Sequence, residues 1–210
     1  MNYHYLAIEG TIGAGKTSLS HKLAEEFNAR VVLEEFSDNP FLPGFYSQPD
    51  KFAFQLELSF LAERYQQIGR ELSNRDLFQQ MVVSDYILQK SLIFARENLK
   101  GDTLQLYRTL YDLMIRQAPK PDLTVYLYQE PEKLKQNILK RGRPYEKDIP
   151  LNYLKRIQKR YMAFFRQQRK SVILILDTTD LDFVSDPKHY QIILGLLKEN
   201  YPFGITRIKP

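Results

Sequence analysis

Short apolar runs alternate with longer stretches of helical spacing along the whole chain. Five runs read as strands: Tyr3 to Glu9 around YHYLAI, then RVVL, LFQQMVV, LTVYLY and SVILIL. Each is short, apolar or β-rich, and bounded by polar or turn residues. Between them the apolar positions recur at helical spacing. Lys16 to Phe27 places Leu19, Leu23 and Phe27 on one face, and Pro49 to Leu72 carries Phe52, Leu56, Phe60 and Tyr65. Further helices are predicted over Ile87 to Asn98, Thr103 to Ala118, Glu132 to Lys140, Leu151 to Arg169 and Lys188 to Asn200. The segment DNPFLPGFYSQP is too rich in proline for regular structure and is predicted to be a loop. Strands alternating with helices predict one α/β domain over residues 1–210, a five-stranded parallel sheet with helices on both faces. No internal repeat or linker interrupts it.

Composition narrows the chemistry. The chain has no cysteine, so disulfides and thiolate metal sites are excluded. Its three histidines, His4, His21 and His189, have no metal-ligand spacing. No apolar run approaches the ~20 residues of a membrane span, and no charged-then-apolar export signal opens the chain, so no membrane partner and a cytoplasmic location are expected. The net charge of +5 is unevenly spread: Lys133 to Lys170 holds 13 Lys and Arg against two acids, Glu146 and Asp148, a net +11. The remainder is therefore at −6. A cationic block in an otherwise acidic chain predicts a polyanion site, which fits either a nucleotide's phosphates or a nucleic acid.

The stretch AIEGTIGAGKTSLSHKL chooses between them. Gly10, Gly15, Lys16 and Thr17 satisfy G-x-x-x-x-G-K-[ST] between a predicted strand and a predicted helix, the context this phosphate-binding loop requires. Backbone N–H groups from Gly10, Thr11, Ile12, Gly13, Ala14, Gly15, Lys16, Thr17 and Ser18 would face the phosphates, aided by the helix N-terminus. Lys16 would reach the β- and γ-phosphates, and the Thr17 hydroxyl would ligate Mg²⁺. The donor is therefore expected to be a nucleoside triphosphate, with the P-loop kinase fold the expected architecture.

Five segments in order, IEGTIGAGKTSL, VVLEEFSDNPFL, FYSQPDKFAFQ, SLIFA and RGRPYEKDIPLNYL, resemble the deoxynucleoside kinase family, from about Leu6 to Phe183. They are most similar to the bacterial kinases of deoxyadenosine and deoxyguanosine. The resemblance implies transfer of the γ-phosphate of ATP, with Mg²⁺, to the 5′-hydroxyl of a purine deoxynucleoside. It implies Glu34 as general base; strand alternation would turn Glu35 to the opposite face, although two adjacent acids also fit a solvated strand end. It implies Tyr46 at the sugar 3′-hydroxyl, Gln55 hydrogen-bonded to the base and Phe94 stacked on it. The basic lid, about residues 141–149, would bring Arg141 and Arg143 to the transferring phosphoryl group and Glu146 to the 3′-hydroxyl. Asp182 and Phe183 match the loop behind the adenine of ATP, where a plain turn fits equally. A homodimer joined through the Pro49–Leu72 and Ile87–Asn98 helices is also implied.

The resemblance breaks after the third strand. The family's Glu/Asp-Arg-Ser is here Ser84, Asp85 and Tyr86, without the arginine. An aspartate ending an apolar strand still suits a magnesium or acceptor site, so Asp85 is placed there; a helix N-cap is the other reading. A nucleoside monophosphate kinase would need arginines near the second strand, where LEEFSDNP offers three acids and no arginine. A nucleic-acid-binding module would use aromatics along the basic block, where Tyr145, Tyr153 and Tyr161 lie. The kinase reading expects no nucleic-acid partner.

Overall fold

The computed structural model describes residues 3–35, 39–73, 81–116 and 118–210. In chain order its elements are β1 (Tyr5–Gly10), α1 (Lys16–Phe27), β2 (Arg30–Val32), α2 (Leu42–Ser47), α3 (Pro49–Ser73) and β3 (Val82–Ser84). There follow α4 (Lys90–Asn98), α5 (Gly101–Ile115), β4 (Leu123–Tyr128), α6 (Pro131–Arg141), α7 (Leu151–Phe165), β5 (Val172–Asp177), α8 (Pro187–Leu197) and β6 (Gly204–Ile208).

Strand alternation sorts the core into two layers. On β1, Leu6 and Ile8 join Val125 and Leu127 of β4 and Leu174 and Leu176 of β5. Leu19 and Leu23 of α1, Leu134 and Ile138 of α6 and Leu197 of α8 cover that face. Tyr5 and Ala7 point the other way, with Tyr126 of β4, against Ile157, Tyr161 and Phe165 of α7. Burial on both faces is why β4 reads as the continuous apolar run LTVYLY. A third cluster lies among α2 to α5, where Phe45, Leu56, Leu61, Leu92 and Tyr107 pack together.

Among the described residues the sheet has six parallel strands in the order β2-β3-β1-β4-β5-β6. Five were expected, and the sixth is the edge strand β6. Its residues GITRI are nowhere fully buried, and a half-exposed edge strand needs no continuous apolar run to mark it. A second correction concerns DNPFLPGFYSQP. Leu42–Ser47 is helical, because Pro43 stands in the first turn, where its missing N–H has no intrahelical partner to lose. Phe36 and Ser37 just before this segment, its own first residue Asp38, and the first part of LFQQMVV lie outside the described residues. Helix α3 continues to Ser73 and is followed in the described chain by Met81 and β3.

The order of strands locates a crevice. After β1 the chain passes to β2, returns to β3 beside β1, then crosses to β4 on the other side of β1. Ligands in open α/β sheets bind at the carboxyl end of such a switch point. Here the carboxyl end of β1 is the glycine-rich loop. No helix among the described residues is long and apolar enough to cross a membrane.

Candidate functional site

The loop after β1 has the backbone its glycines predict. Gly13 and Gly15 have φ of +87° and +85°, a region L side chains rarely adopt. A Cβ on Gly15 would also come within 2.8 Å of the Phe183 ring. Phe183 is buried and packs beneath the loop, and Asp182 beside it lines the same groove as Gly13, Ser18 and Arg141. Gly10 and Thr11 lie deeper, and the Thr11 hydroxyl is hydrogen-bonded to the Tyr126 hydroxyl at 2.9 Å. Helix α1 begins at Lys16 without a side-chain cap, which leaves its first N–H groups directed at the loop. Lys16 Nζ donates to the Thr11 carbonyl at 3.3 Å. Burial, reinforced by the Lys90 charge, brings the Lys16 ammonium down to about 8.

Asp85 ties this loop to β2. Its Oδ2 accepts from the Thr17 hydroxyl at 2.6 Å, and its Oδ1 from the backbone N–H of Glu34 at 2.7 Å. One hydroxyl and one carboxylate beside a phosphate-binding loop match what Mg²⁺ takes from a protein, since it fills its other positions with phosphate oxygens and water. Asp85 is therefore fitted to a metal position and, through Glu34, to the acceptor region.

Glu34 lies at the mouth of β2 with both carboxylate oxygens engaged. Oε1 accepts from Arg64 Nε at 2.8 Å and Nη2 at 2.5 Å, and Oε2 from Lys90 Nζ at 2.5 Å. Burial alone would raise its pKa, but the two cations outweigh burial and hold the carboxyl well below the usual range. Glu35 is exposed and accepts from Gln67 Nε2 at 3.3 Å; β2 ends at Val32, so the chain past the strand, and not strand alternation, sets its direction.

A cavity of about 760 Å³, counting its open mouth, extends from Lys16, Thr17 and Glu34 between α3 and α4. Its walls are built as a ladder. Along α3 come Glu57, Phe60 and Arg64, and along α4, in the reverse sense, Asn98, Phe94 and Lys90. Spacings of three and four residues keep each set on one helical face. Arg64 and Lys90 meet at Glu34; Phe60 and Phe94 occupy the middle. At the far end Asn98 Nδ2 donates to Glu57 Oε1 at 2.6 Å.

The ladder corrects one expectation. Gln55 is exposed and does not line the cavity. At ~100° per residue, positions 55 and 57 of a helix lie on nearly opposite sides, and it is Glu57 that turns inward. Phe94 and Tyr46 do line the cavity. The residues unforeseen from sequence are Arg64, Lys90, Glu57, Asn98 and Tyr153, whose hydroxyl donates to Asn98 Oδ1 at 3.2 Å.

The basic lid closes over the mouth. Arg141 ends α6, Gly142 follows with φ of +77°, and a single 3₁₀ turn covers Pro144–Glu146. Glu146 is buried and accepts from both Arg141 and Arg143, the latter at 3.3 Å. Tyr145 stacks on Tyr46 with ring centroids 6.1 Å apart and planes 16° apart. Lys135 Nζ holds the end of the lid by donating to the carbonyls of Lys147 and Ile149, at 2.5 and 2.8 Å. All three lid residues, Arg141, Arg143 and Glu146, line the cavity.

Comparison with known proteins follows the same lines. The family model for deoxynucleoside kinases matches residues 6–200. A deoxyguanosine kinase of Bacillus subtilis (strain 168) is 35% identical over 200 residues, which is 93% of this chain and 96% of the relative. The deoxyadenosine/deoxycytidine kinase of the same organism is 27% identical, over 90% of this chain and 89% of the relative. Among solved structures, deoxyadenosine kinase from M. mycoides with bound dATP superposes with a TM-score of 0.79 at 23% identity. That match covers 93% of this chain and all of the other.

Proposed function

Because the chain belongs to the deoxynucleoside kinase family, we propose that this cavity transfers the γ-phosphate of ATP to the 5′-hydroxyl of a purine 2′-deoxynucleoside. The enzyme is an ATP-dependent deoxynucleoside kinase. The observation that carries the site assignment is that one cavity joins Lys16 and Thr17 of the phosphate loop to the Glu34 carboxylate. Donor and acceptor ends therefore meet.

In this reading the loop N–H groups and Lys16 hold the triphosphate, and Asp182 and Phe183 back the nucleotide beyond it. Thr17 and Asp85 would hold Mg²⁺, which when bound neutralises charge on the transferring phosphoryl group. Glu34 receives the 5′-hydroxyl. Its two cations keep it ionised, so it accepts a hydrogen bond and aims the oxygen throughout the neutral range. A carboxylate held so acidic attracts the proton weakly, so transfer comes late, as a loose transition state allows. Arg141 and Arg143 supply fixed guanidinium donors to the charge that spreads over the equatorial oxygens. Glu146 and Tyr46 lie together under the lid and take the sugar 3′-hydroxyl. Phe94 takes the base.

A homodimer and a cytoplasmic location complete the proposal. Leu106 and Leu113 of α5 are more than half exposed and seven residues apart on one face, which supports an apolar contact between copies. That face lies on α5 rather than on the two helices expected from the resemblance.

The experiment is transfer of label from γ-labelled ATP, with Mg²⁺, to each of the four common deoxynucleosides. A labelled purine deoxynucleoside 5′-monophosphate is expected. Failure of every nucleoside to accept label would reject the reading, and preference for a pyrimidine would reject its purine part.

A further inference from the structure

We propose that the protein carries a second nucleotide site, a recess at the amino-terminal edge of the sheet that takes a nucleoside phosphate, and that its occupant acts on the transfer cavity through Gln89 and Lys90. The proposal adds to the kinase reading above, and its binding test does not depend on turnover.

The recess holds about 1010 Å³, counting its open mouth, against about 760 Å³ for the transfer cavity. Three pieces of chain wall it. Lys120 and Thr124 lie where α5 leads into β4, Phe164, Arg169 and Lys170 where α7 gives way to β5, and Ile87 and Gln89 just before α4. Thr124 pairs with Ile173 near the first residues of β4 and β5, so the recess opens at the edge of the sheet opposite the glycine-rich loop.

The cations around it are uncommitted. Among the described residues the side chains of Lys120, Arg169 and Lys170 make no salt bridge and no hydrogen bond. Helices α5 and α7 end nearby, and cations often stand at such ends to meet the last carbonyls; none of these three donates to one. No acid among the described residues lines the recess. The nearest in sequence, Asp122, is taken up by the backbone N–H groups of His4 and Tyr5, at 2.7 and 2.8 Å. Thr124 lines the recess at 6% exposure, and its hydroxyl has no partner among the described residues. Three unpaired cations and a spare hydroxyl suit a phosphate, which accepts from both. Phe164 and Ile173 offer an apolar wall to a ring, and the Gln89 and Gln168 amides offer donors and acceptors to its polar edge. An anion joined to a planar ring with a polar edge is a nucleotide.

The wall before α4 leads to the chemistry. The Gln89 carbonyl accepts from the N–H groups of Leu92 and Ile93, both at 3.1 Å, and the next residue, Lys90, reaches Glu34. Ile87 N–H donates to Glu9 Oε1 at 2.9 Å, and Glu9 Oε2 accepts from Gly10 N–H at 3.2 Å, at the head of the phosphate loop. A ligand that draws on Gln89 or Ile87 therefore acts on the cation at the acceptor carboxylate and on the loop, two sites joined by one short segment.

The test is equilibrium dialysis with labelled ATP. Lys120→Glu with Arg169→Glu reverses a charge on two walls and should bind one ATP fewer per chain than the wild type. Lys159→Glu with Lys198→Glu makes the same change of charge at exposed positions outside the recess, and should bind as the wild type does. Thr124→Val should weaken the second site roughly tenfold, the loss expected for one hydrogen bond to a charged group. Equal loss in both charge variants, or loss in neither, overturns the site. Displacement of ATP from it by inorganic phosphate at matched concentration would make it a general anion site, and tighter binding of a single-stranded oligonucleotide would make it a nucleic-acid face; either overturns the nucleotide assignment. In turnover, the wild-type rate should change a second time as ATP is raised past saturation of the phosphate loop. Lys120→Glu with Arg169→Glu should lose that second phase and keep the first plateau, and a single phase in the wild type overturns the coupling. If no deoxynucleoside is phosphorylated at all, the kinase reading has failed, and the dialysis still decides the site.

Discussion

The Lys90 ammonium donates to Glu34 Oε2 at 2.5 Å, across from the Arg64 guanidinium on Oε1. The chain lacks the family's arginine directly after β3, and Lys90, five residues beyond Asp85, brings a cation to the acceptor carboxylate from the first turn of α4. Lys90→Met keeps the stem and removes the charge. We expect kcat to fall ~10²-fold while ATP binding changes little. The sign of the pH effect follows from Glu34. Lys90 is the largest influence lowering its pKa against the upward push of burial, so removing Lys90 must raise it. The acid limb of the kcat profile should then move to higher pH. A pH–rate comparison checks this, and an unmoved limb would separate Lys90 from the carboxylate.

Asp85 joins the Thr17 hydroxyl to the Glu34 backbone, so its loss should be felt at both ends of the transfer. Asp85→Asn retains the shape but loses the charge. The Mg²⁺ concentration giving half-maximal rate should rise ~10-fold or more, the scale on which groups supporting a metal site act. Activity titrated against Mg²⁺ at saturating ATP reads this directly. If Asp85 were only a helix cap, the variant would lose stability with no change in the metal requirement.

The lid offers a split between rate and binding. Arg141 and Arg143 both reach Glu146, so the closed lid presents them as a pair at the cavity mouth. Arg141→Ala should lower kcat by ~10²-fold with a much smaller rise in the KM for deoxynucleoside, because the guanidinium acts on charge present only in transfer. Glu146→Ala should show the reverse weighting, a higher KM from a lost sugar contact. Steady-state kinetics of the two variants side by side would expose a clamp assigned to the wrong residue.

What could be read from sequence was what is contiguous. Gly10 to Thr17 form a single string whose neighbours in sequence are its neighbours in space, and β1, β4 and β5 announce themselves by runs of four or more consecutive buried residues. The cavity wall is different. Glu57, Phe60 and Arg64 read as an ordinary helical stripe, and Asn98, Phe94 and Lys90 as another. Their pairing appears only when α3 and α4 run in opposite senses against each other. The string FAFQ points to Gln55, and a two-residue offset on a helix moves a side chain to the far side. Arg64 and Lys90 carried no signal because a cation on a helix is usually solvated; both are buried here only because Glu34 receives them. Strand β6 and helix α2 carry weak sequence signals for smaller reasons, a half-exposed edge and a proline that starts a helix instead of ending one.

Glu57 also makes a prediction for stability that needs no substrate. Burial pushes its carboxyl up from 4.5 to about 7, opposed by the Asn98 hydrogen bond and then by Arg64 on its own helix. Glu34 adds to the rise, and Lys90 of α4 counters it. Tyr107 of α5 and Tyr153 of α7 also face it, and its charge in turn raises both phenols. With a folded-state pKa above the unfolded one, the native protein binds more protons between about 4.5 and about 7. Its stability from this group is therefore complete below 4.5, falls as pH rises through that window, and is gone above about 7. Glu57→Gln has nothing to ionise there. The difference in Tm between variant and wild type should thus move in the variant's favour as pH is raised from 5 to 8, whatever its sign at pH 5. A series of thermal unfolding curves across that range measures it, and a difference independent of pH would mean that Glu57 titrates as an ordinary solvated acid.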